Sequence, residues 1–158
     1  MSAYGQKFKA NWKDGKLQGY GEETFQDSIQ SYKGEYSLGK RHGSGVFRWA
    51  DGSIYEGDWV MGKKSGQGCL KWSNGKVYRG SWKDDKLHGF GVFTSADGTT
   101  YEGDYWRNKR SGFGVFRWKN GKVVESNWVN NVQHGVGKFV SKSGKIYHCE
   151  WINGELIE

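Results

Sequence analysis

The sequence predicts an all-β protein, an elongated array of tandem β-hairpins, and three observations carry that prediction. Tyr32, Tyr55, Tyr78, Tyr101, Val124 and Tyr147 recur every 23 residues, and each opens a copy of one phrase. The phrase reads YEGDWVMGKKSGQG from Tyr55, YRGSWKDDKLHGFG from Tyr78 and YEGDYWRNKRSGFG from Tyr101. Its residues alternate between two faces, glycine arrives too often for a helix, and the chain holds 26 Gly and no Pro. Repeats of this length stack as an open array in which each unit touches its neighbours, rather than closing around one core. Chains without proline suit a sheet, where nearly every backbone N–H must donate to a ladder.

The elements follow in order. A first copy opens at Phe8 as FKANWKDGKLQGYG, with Ala10 where the next four copies have glycine and Ser28 in place of the turn glycine, and in the sixth copy Val124 and Ser126 replace the Tyr and Gly. In the copy from Tyr55, residues 55–59 alternate small or apolar with charged side chains, and residues 68–72 do the same, the period of a two-faced strand. The glycine-rich stretch between them reads as a loop. Ser73-Asn74-Gly75 then supplies a hairpin turn, matched at Asp51-Gly52, Asp97-Gly98, Asn120-Gly121 and Ser143-Gly144. The eighth residue of successive copies is Gly15, Gly39, Gly62, Asp85, Asn108, Asn131 and Gly154. Only residues that tolerate positive φ stand there, which marks a left-handed turn position. The array is assigned to residues 8–158, with copies from Phe8, Tyr32, Tyr55, Tyr78, Tyr101, Val124 and Tyr147 and an N-terminal extension over 1–7.

Hydrophobic residues make up only 35% of the chain but aromatics 16%, so burial must come from rows of Tyr, Trp and Phe. Strand glycines Gly34, Gly57, Gly80 and Gly103 leave gaps that neighbouring rings can cover. The aromatic face then carries Tyr55, Trp59, Tyr78, Trp82, Tyr101 and Tyr105 from first strands. Second strands add Phe47, Trp49, Leu70, Trp72, Phe93, Phe116 and Trp118. The opposite face carries Glu56, Asp58, Glu102 and Asp104 beside Arg48, Lys71 and Arg117, read as cross-strand charge pairs. No apolar run is long enough to span a membrane and no secretory leader is visible, so a cytoplasmic protein is expected. Cys69 and Cys149 lie more than three copies apart, roughly 35 Å by strand spacing, which excludes a disulfide between them and fits a reducing compartment.

The phrase Tyr-x-Gly-x-Trp-x-x-Gly-Lys-x-His-Gly-x-Gly resembles the MORN (membrane occupation and recognition nexus) repeat. Tyr32 to Tyr36 with Gly39, His42-Gly43 and Gly45 carries the likeness, as do Tyr55 to Gly68, Tyr78 to Gly91 and Tyr101 to Gly114. The resemblance implies a single-layer, twisted antiparallel sheet. It also implies a non-catalytic scaffold or adaptor in cytoskeletal, ciliary or junctional assemblies, with a partner peptide along the aromatic groove.

The chemistry at hand points the same way. His42, His88 and His134 occupy one motif position in alternate copies, about 19 Å apart by strand spacing, too far to share a metal. His148 with Cys149 lacks further ligands, and the strand carboxylates have no pocket to tune them, so no cofactor, metal or catalytic residue is expected. Tyr55, Trp59, Tyr78, Trp82, Phe93, Tyr101 and Phe116 form the expected partner-binding groove, taking an extended or helical protein segment. The net charge of +7 concentrates after the first strands, at Lys40, Arg41, Lys63, Lys64, Lys86, Arg107, Lys109 and Arg110. That basic edge is the expected contact for an anionic membrane surface, the alternative function. Nucleic acid ranks last, since no reading motif is present. A sugar-binding role is disfavoured by the motif order, and unpaired edge strands suggest end-to-end self-association.

Overall fold

The computed structural model describes residues 6–25 and 29–157. Ser28, the departure noted in the first copy, lies outside them. Among the described residues, fourteen strands form a sheet whose strand order is the chain order. They are β1 (Lys7–Lys13), β2 (Lys16–Thr24), β3 (Ser31–Ser37), β4 (Lys40–Arg48), β5 (Ile54–Val60), β6 (Lys63–Lys71) and β7 (Val77–Lys83). The rest are β8 (Lys86–Thr94), β9 (Thr100–Trp106), β10 (Lys109–Arg117), β11 (Val123–Val129), β12 (Val132–Val140), β13 (Ile146–Ile152) and β14 (Glu155–Leu156). No helix occurs among the described residues. The chain divides into two compact units, Met1–Asn74 with Trp82–Asp85, and Gly75–Ser81 with Lys86–Glu158.

Each of the first six copies is a seven-residue strand, a two-residue turn and a nine-residue strand, as in β5 and β6, and the seventh ends in the two-residue β14. The stretch read as a glycine-rich loop is therefore strand: β6 begins at Lys63, directly after Met61-Gly62. Both turn residues have positive φ, 48° at Met61 and 91° at Gly62, the type I′ geometry that matches the twist of a tight hairpin. All seven residues at the eighth motif position adopt positive φ, from 66° at Asp85 to 91° at Gly62. The residue before each does so too, including Leu38 and Arg107. The extra length of the second strand goes into a bulge. Gly57 pairs with Gly68 and Trp59 with Lys64, so Ser65, Gly66 and Gln67 face Asp58 alone. Gly66 takes the positive φ this requires, and the Asp58 carboxylate accepts a hydrogen bond from the Gln67 N–H at 2.8 Å.

The first unit places its core on one sheet face. The Tyr32 and Tyr55 rings lie over paired strand glycines: a Cβ added at Gly45 would overlap the Tyr32 hydroxyl, and one at Gly68 the Tyr55 hydroxyl. The freed hydroxyls donate to Glu35 O at 3.0 Å and Asp58 O at 2.9 Å, at the bulge. Each ring is met edge-on by its own fifth strand residue and by that of the next copy. Tyr55 to Trp59 is 5.2 Å and Tyr55 to Trp82 is 5.4 Å between centroids. The indole N–H groups of Trp59 and Trp82 donate to Gly45 O and Gly68 O, each at 3.3 Å. The second unit repeats the scheme with Tyr78 over Gly91, Tyr101 over Gly114, and Tyr101 flanked by Tyr105 at 5.3 Å and Trp128 at 5.4 Å.

Copies are also stitched at the turns. Lys64 N–H donates to the Asp85 carboxylate and Asp85 N–H returns to Lys64 O. Leu87 with Asn108 and Arg110 with Asn131 repeat this exchange. The reverse face departs from expectation. Register sets Glu56 opposite Val46 and Cys69, and Glu102 opposite Val92 and Val115. Arg48 and Lys71 instead face Ile54, and Arg117 faces Thr100 and Val123. Among the described residues, no ion pair joins Glu56, Asp58, Glu102 or Asp104 to those cations; the pairs on this face are Lys33–Glu22 and Lys138–Glu125.

Candidate functional site

The ring rows of the predicted groove are its floor. Tyr55 and Tyr78 are wholly buried, and Tyr101, Trp59 and Trp82 nearly so. Their neighbours above and beside them are other rings, so little more than a ring edge is left for a partner. Phe93 and Phe116 are half-buried, and Trp118, tilted against Phe116 at 4.6 Å between ring centres, is exposed.

Three residues of the predicted basic edge turn inward over this floor. The Arg41 guanidinium lies 4.5 Å from the Phe47 ring centre and 5.1 Å from that of Tyr32. The Lys64 ammonium lies 5.3 Å from Trp82 and 5.5 Å from Trp49, and the Arg110 guanidinium 4.3 Å from Trp128 and 5.7 Å from Phe116. The reason is strand parity: Lys64 pairs with Trp59, Arg41 with Tyr36 and Arg110 with Tyr105, all on the aromatic face. Burial pulls Lys64 below the usual lysine range, a nearby Asp85 opposing it, and burial likewise lowers Arg110. Such cations recover from ring quadrupoles part of what they lose in hydration. Lys40, Lys63, Lys86, Arg107 and Lys109 stay exposed, and Lys63 pairs with Asp84 at 3.5 Å.

In the second unit the aromatic face opens into three concavities that share walls. One of about 330 Å³ lies among Phe93, Tyr101, Tyr105, Arg110 and Phe116. The next, about 310 Å³, is bounded by Arg110, Phe116, Trp118, Trp128 and Gln133. The largest, about 650 Å³, is lined by Trp118, Val124, Phe139, Tyr147, Trp151 and Leu156. This last space has a local cause. Val124 stands where the four preceding copies bury a tyrosine ring, and Cys149 occupies the strand-glycine position over which Tyr147 would lie, leaving Tyr147 42% exposed.

A family model for the MORN repeat matches residues 8–29, 32–54, 55–77, 78–100, 101–123 and 125–146. The chain belongs to the MORN repeat family. Among solved structures, this MORN array is similar to the TCP domain of SAS-4 from Drosophila melanogaster, solved in complex with a proline-rich motif of Ana2. The likeness has 12% identity and a TM-score of 0.46 over 94% of this chain and 92% of that one. No curated protein matches the chain in sequence.

Two of the three motif histidines accept hydrogen bonds at turns, and the third packs on a ring. His42 Nδ1 accepts from Met61 N–H at 3.4 Å, His134 Nδ1 from Asn153 N–H at 3.5 Å, and the His88 ring rests 4.4 Å from Trp106. Residues that pattern reading passed over are Phe139, Tyr147, Trp151 and Leu156 around the largest concavity. The replacement of tyrosine by Val124, a lost ring in a row of rings, is the signal that could have found them. A second group lies on the reverse face, where Phe90, Phe113 and Val136 are 53%, 54% and 72% exposed.

Proposed function

We propose that the protein is a non-catalytic interaction scaffold that takes a partner polypeptide segment along the aromatic face of its second unit. The observation that supports this is the run of three adjoining concavities ending at the 650 Å³ apolar pocket around Trp118, Phe139 and Tyr147. Ligand sites are concave and largely apolar with a few placed polar groups, and exposed rings supply large contact area at small entropy cost. Membership of the MORN family supports a cytoskeletal, ciliary or membrane-associated assembly as the setting.

Tyr78 and Tyr101 cannot test this reading, because truncating a buried ring would remove the core with the site. Trp118→Ala combined with Tyr147→Ser leaves the tyrosine floor intact. Peptides selected on the wild-type chain from a random display library should bind this double variant about tenfold or more weakly, with the strand circular dichroism unchanged. Selection that yields no binder, or binders indifferent to the double variant, would refute the groove. Anionic phosphatidylserine vesicles serve as the competing probe: salt-sensitive co-sedimentation abolished by Lys40→Gln with Lys86→Gln, beside failed peptide selection, would give the exposed basic residues the principal role instead.

A further inference from the structure

The first unit contains a worked example of carboxylate recognition. Glu23 of β2 stands opposite Tyr32 of β3, and its carboxylate is held from two sides. The Tyr36 hydroxyl donates to it at 3.2 Å and Arg41 Nη2 at 2.9 Å. The carboxylate is almost wholly buried among rings, and the guanidinium that meets it lies on the same aromatic face.

The second unit has both donors at the same positions. Tyr105 of β9 corresponds to Tyr36, and Arg110 of β10 corresponds to Arg41; each Arg pairs with its Tyr across the hairpin. No other copy carries Tyr and Arg at these two motif positions: the residues there are Trp12 and Leu17, Trp59 and Lys64, Trp82 and Leu87, Trp128 and Gln133, and Trp151 and Leu156 in sequence. The residue opposite Tyr101, in the place of Glu23, is Phe93. Among the described residues, Arg110 forms no ion pair; Nη2 donates to Asn131 O at 3.0 Å. The Tyr105 hydroxyl makes no hydrogen bond within the described residues. Between the two donors and Phe93 lies the concavity of about 330 Å³.

We propose that this pocket receives the carboxylate of an acidic side chain from the partner segment, seated between the Tyr105 hydroxyl and the Arg110 guanidinium as Glu23 is between Tyr36 and Arg41. The proposal rests on the groove reading above and adds the partner's chemistry. Its segment carries a Glu or Asp at the Arg110 pocket and apolar side chains toward Trp118 and Tyr147, because the intervening concavity shares Arg110 and Phe116 with one neighbour and Trp118 with the other. A charged hydrogen bond in so apolar a place is stronger than one in water, and Arg is the cation best shaped to make it. Burial has already lowered Arg110, with only tyrosines to oppose it, so a carboxylate would restore the charge balance that Glu23 gives Arg41.

The test uses the whole chain and a random peptide display library with blocked C-termini, so that side chains alone supply carboxylates. Two variants accompany the wild type. Arg110→Gln removes the cation, and Phe93→Glu builds the internal carboxylate that the first unit already has. Peptides selected on the wild type are expected to be enriched in Glu and Asp, to lose about tenfold or more in affinity for either variant, and to keep affinity when the library's C-termini are freed. Binders without acidic enrichment, or acidic binders indifferent to folded Arg110→Gln, would overturn the proposal while leaving the groove reading in place. Enrichment confined to free C-termini would overturn it in favour of a terminal carboxylate. No binder of any kind would remove both.

Discussion

At Met61 a bulky side chain sits at φ 48°, beside Gly62 at 91°. A left-handed conformation costs an ordinary residue roughly 1–2 kcal/mol, and asparagine much less. Met61 is 40% exposed, so little packing is lost on replacing it. Met61→Asn would make the turn Asn-Gly, the pair most favoured in type I′ hairpins, and should raise stability by about 1 kcal/mol. The denaturant midpoint should rise with an unchanged slope; a fall would mean that Met61 packs more than its exposure indicates. Glu23 argues the opposite way. It is buried and accepts from both Tyr36 and Arg41, so Glu23→Gln leaves a shielded guanidinium without its counter-charge. Because the Arg41 side chain is 23% exposed and Gln keeps one acceptor, the cost should be about 2 kcal/mol, below that of breaking a fully buried pair. Urea unfolding that shows no loss would mean the pair is solvated.

At the scale of the element, the hairpin is specified twice, by glycines under rings and by side chains at turns. Asp85, Asn108 and Asn131 do what Gly39 and Gly62 cannot: besides accepting positive φ, their side chains each take an N–H from the preceding copy at 2.8 Å. Asn131→Gly keeps the backbone geometry and deletes only that bond, so it should cost about 1 kcal/mol and increase amide exchange at Arg110. Unaltered exchange there would show the stitch to be unimportant. Much of this was legible in sequence. Alternation, the 23-residue repeat and the Gly, Asp or Asn restriction at the turn position led to the right strands, turns and core face. The bulge was not, because Lys63 to Gln67 is polar and glycine-bearing and so looks like loop, and pairing two strands of unequal length needs the register itself. Arg41, Lys64 and Arg110 were misplaced for the same reason. Once the strand is extended back to Lys63, their position falls on the aromatic face, where other copies hold Leu17 and Leu87. The open concavity near Tyr147 depends on a ring that is missing, and a pattern built from recurrence says least where it lapses.

At the scale of the whole molecule, the core includes tyrosines that must stay neutral. Burial pushes Tyr101 up to about 12, with Arg110 opposing, and pushes Tyr32, Tyr36, Tyr55, Tyr78 and Tyr105 higher still. Unfolded tyrosines ionise near pH 10. Above that pH the unfolded chain releases protons that the folded chain keeps, so stability falls as pH rises. The contribution of these rings is therefore complete below about pH 10 and is lost as pH climbs through the folded values, from about 12 for Tyr101 upward. Each unit holds three such rings: Tyr32, Tyr36 and Tyr55 in the first, and Tyr78, Tyr101 and Tyr105 in the second. Tyrosinate absorbance should consequently rise steeply together with loss of the strand circular dichroism, and the melting temperature should decline from about pH 10 upward. Gradual ionisation near pH 10 with the sheet signal intact would show that the rings are reached by water in the folded state, and that the glycine gaps beneath them do not hold them as tightly as the packing requires.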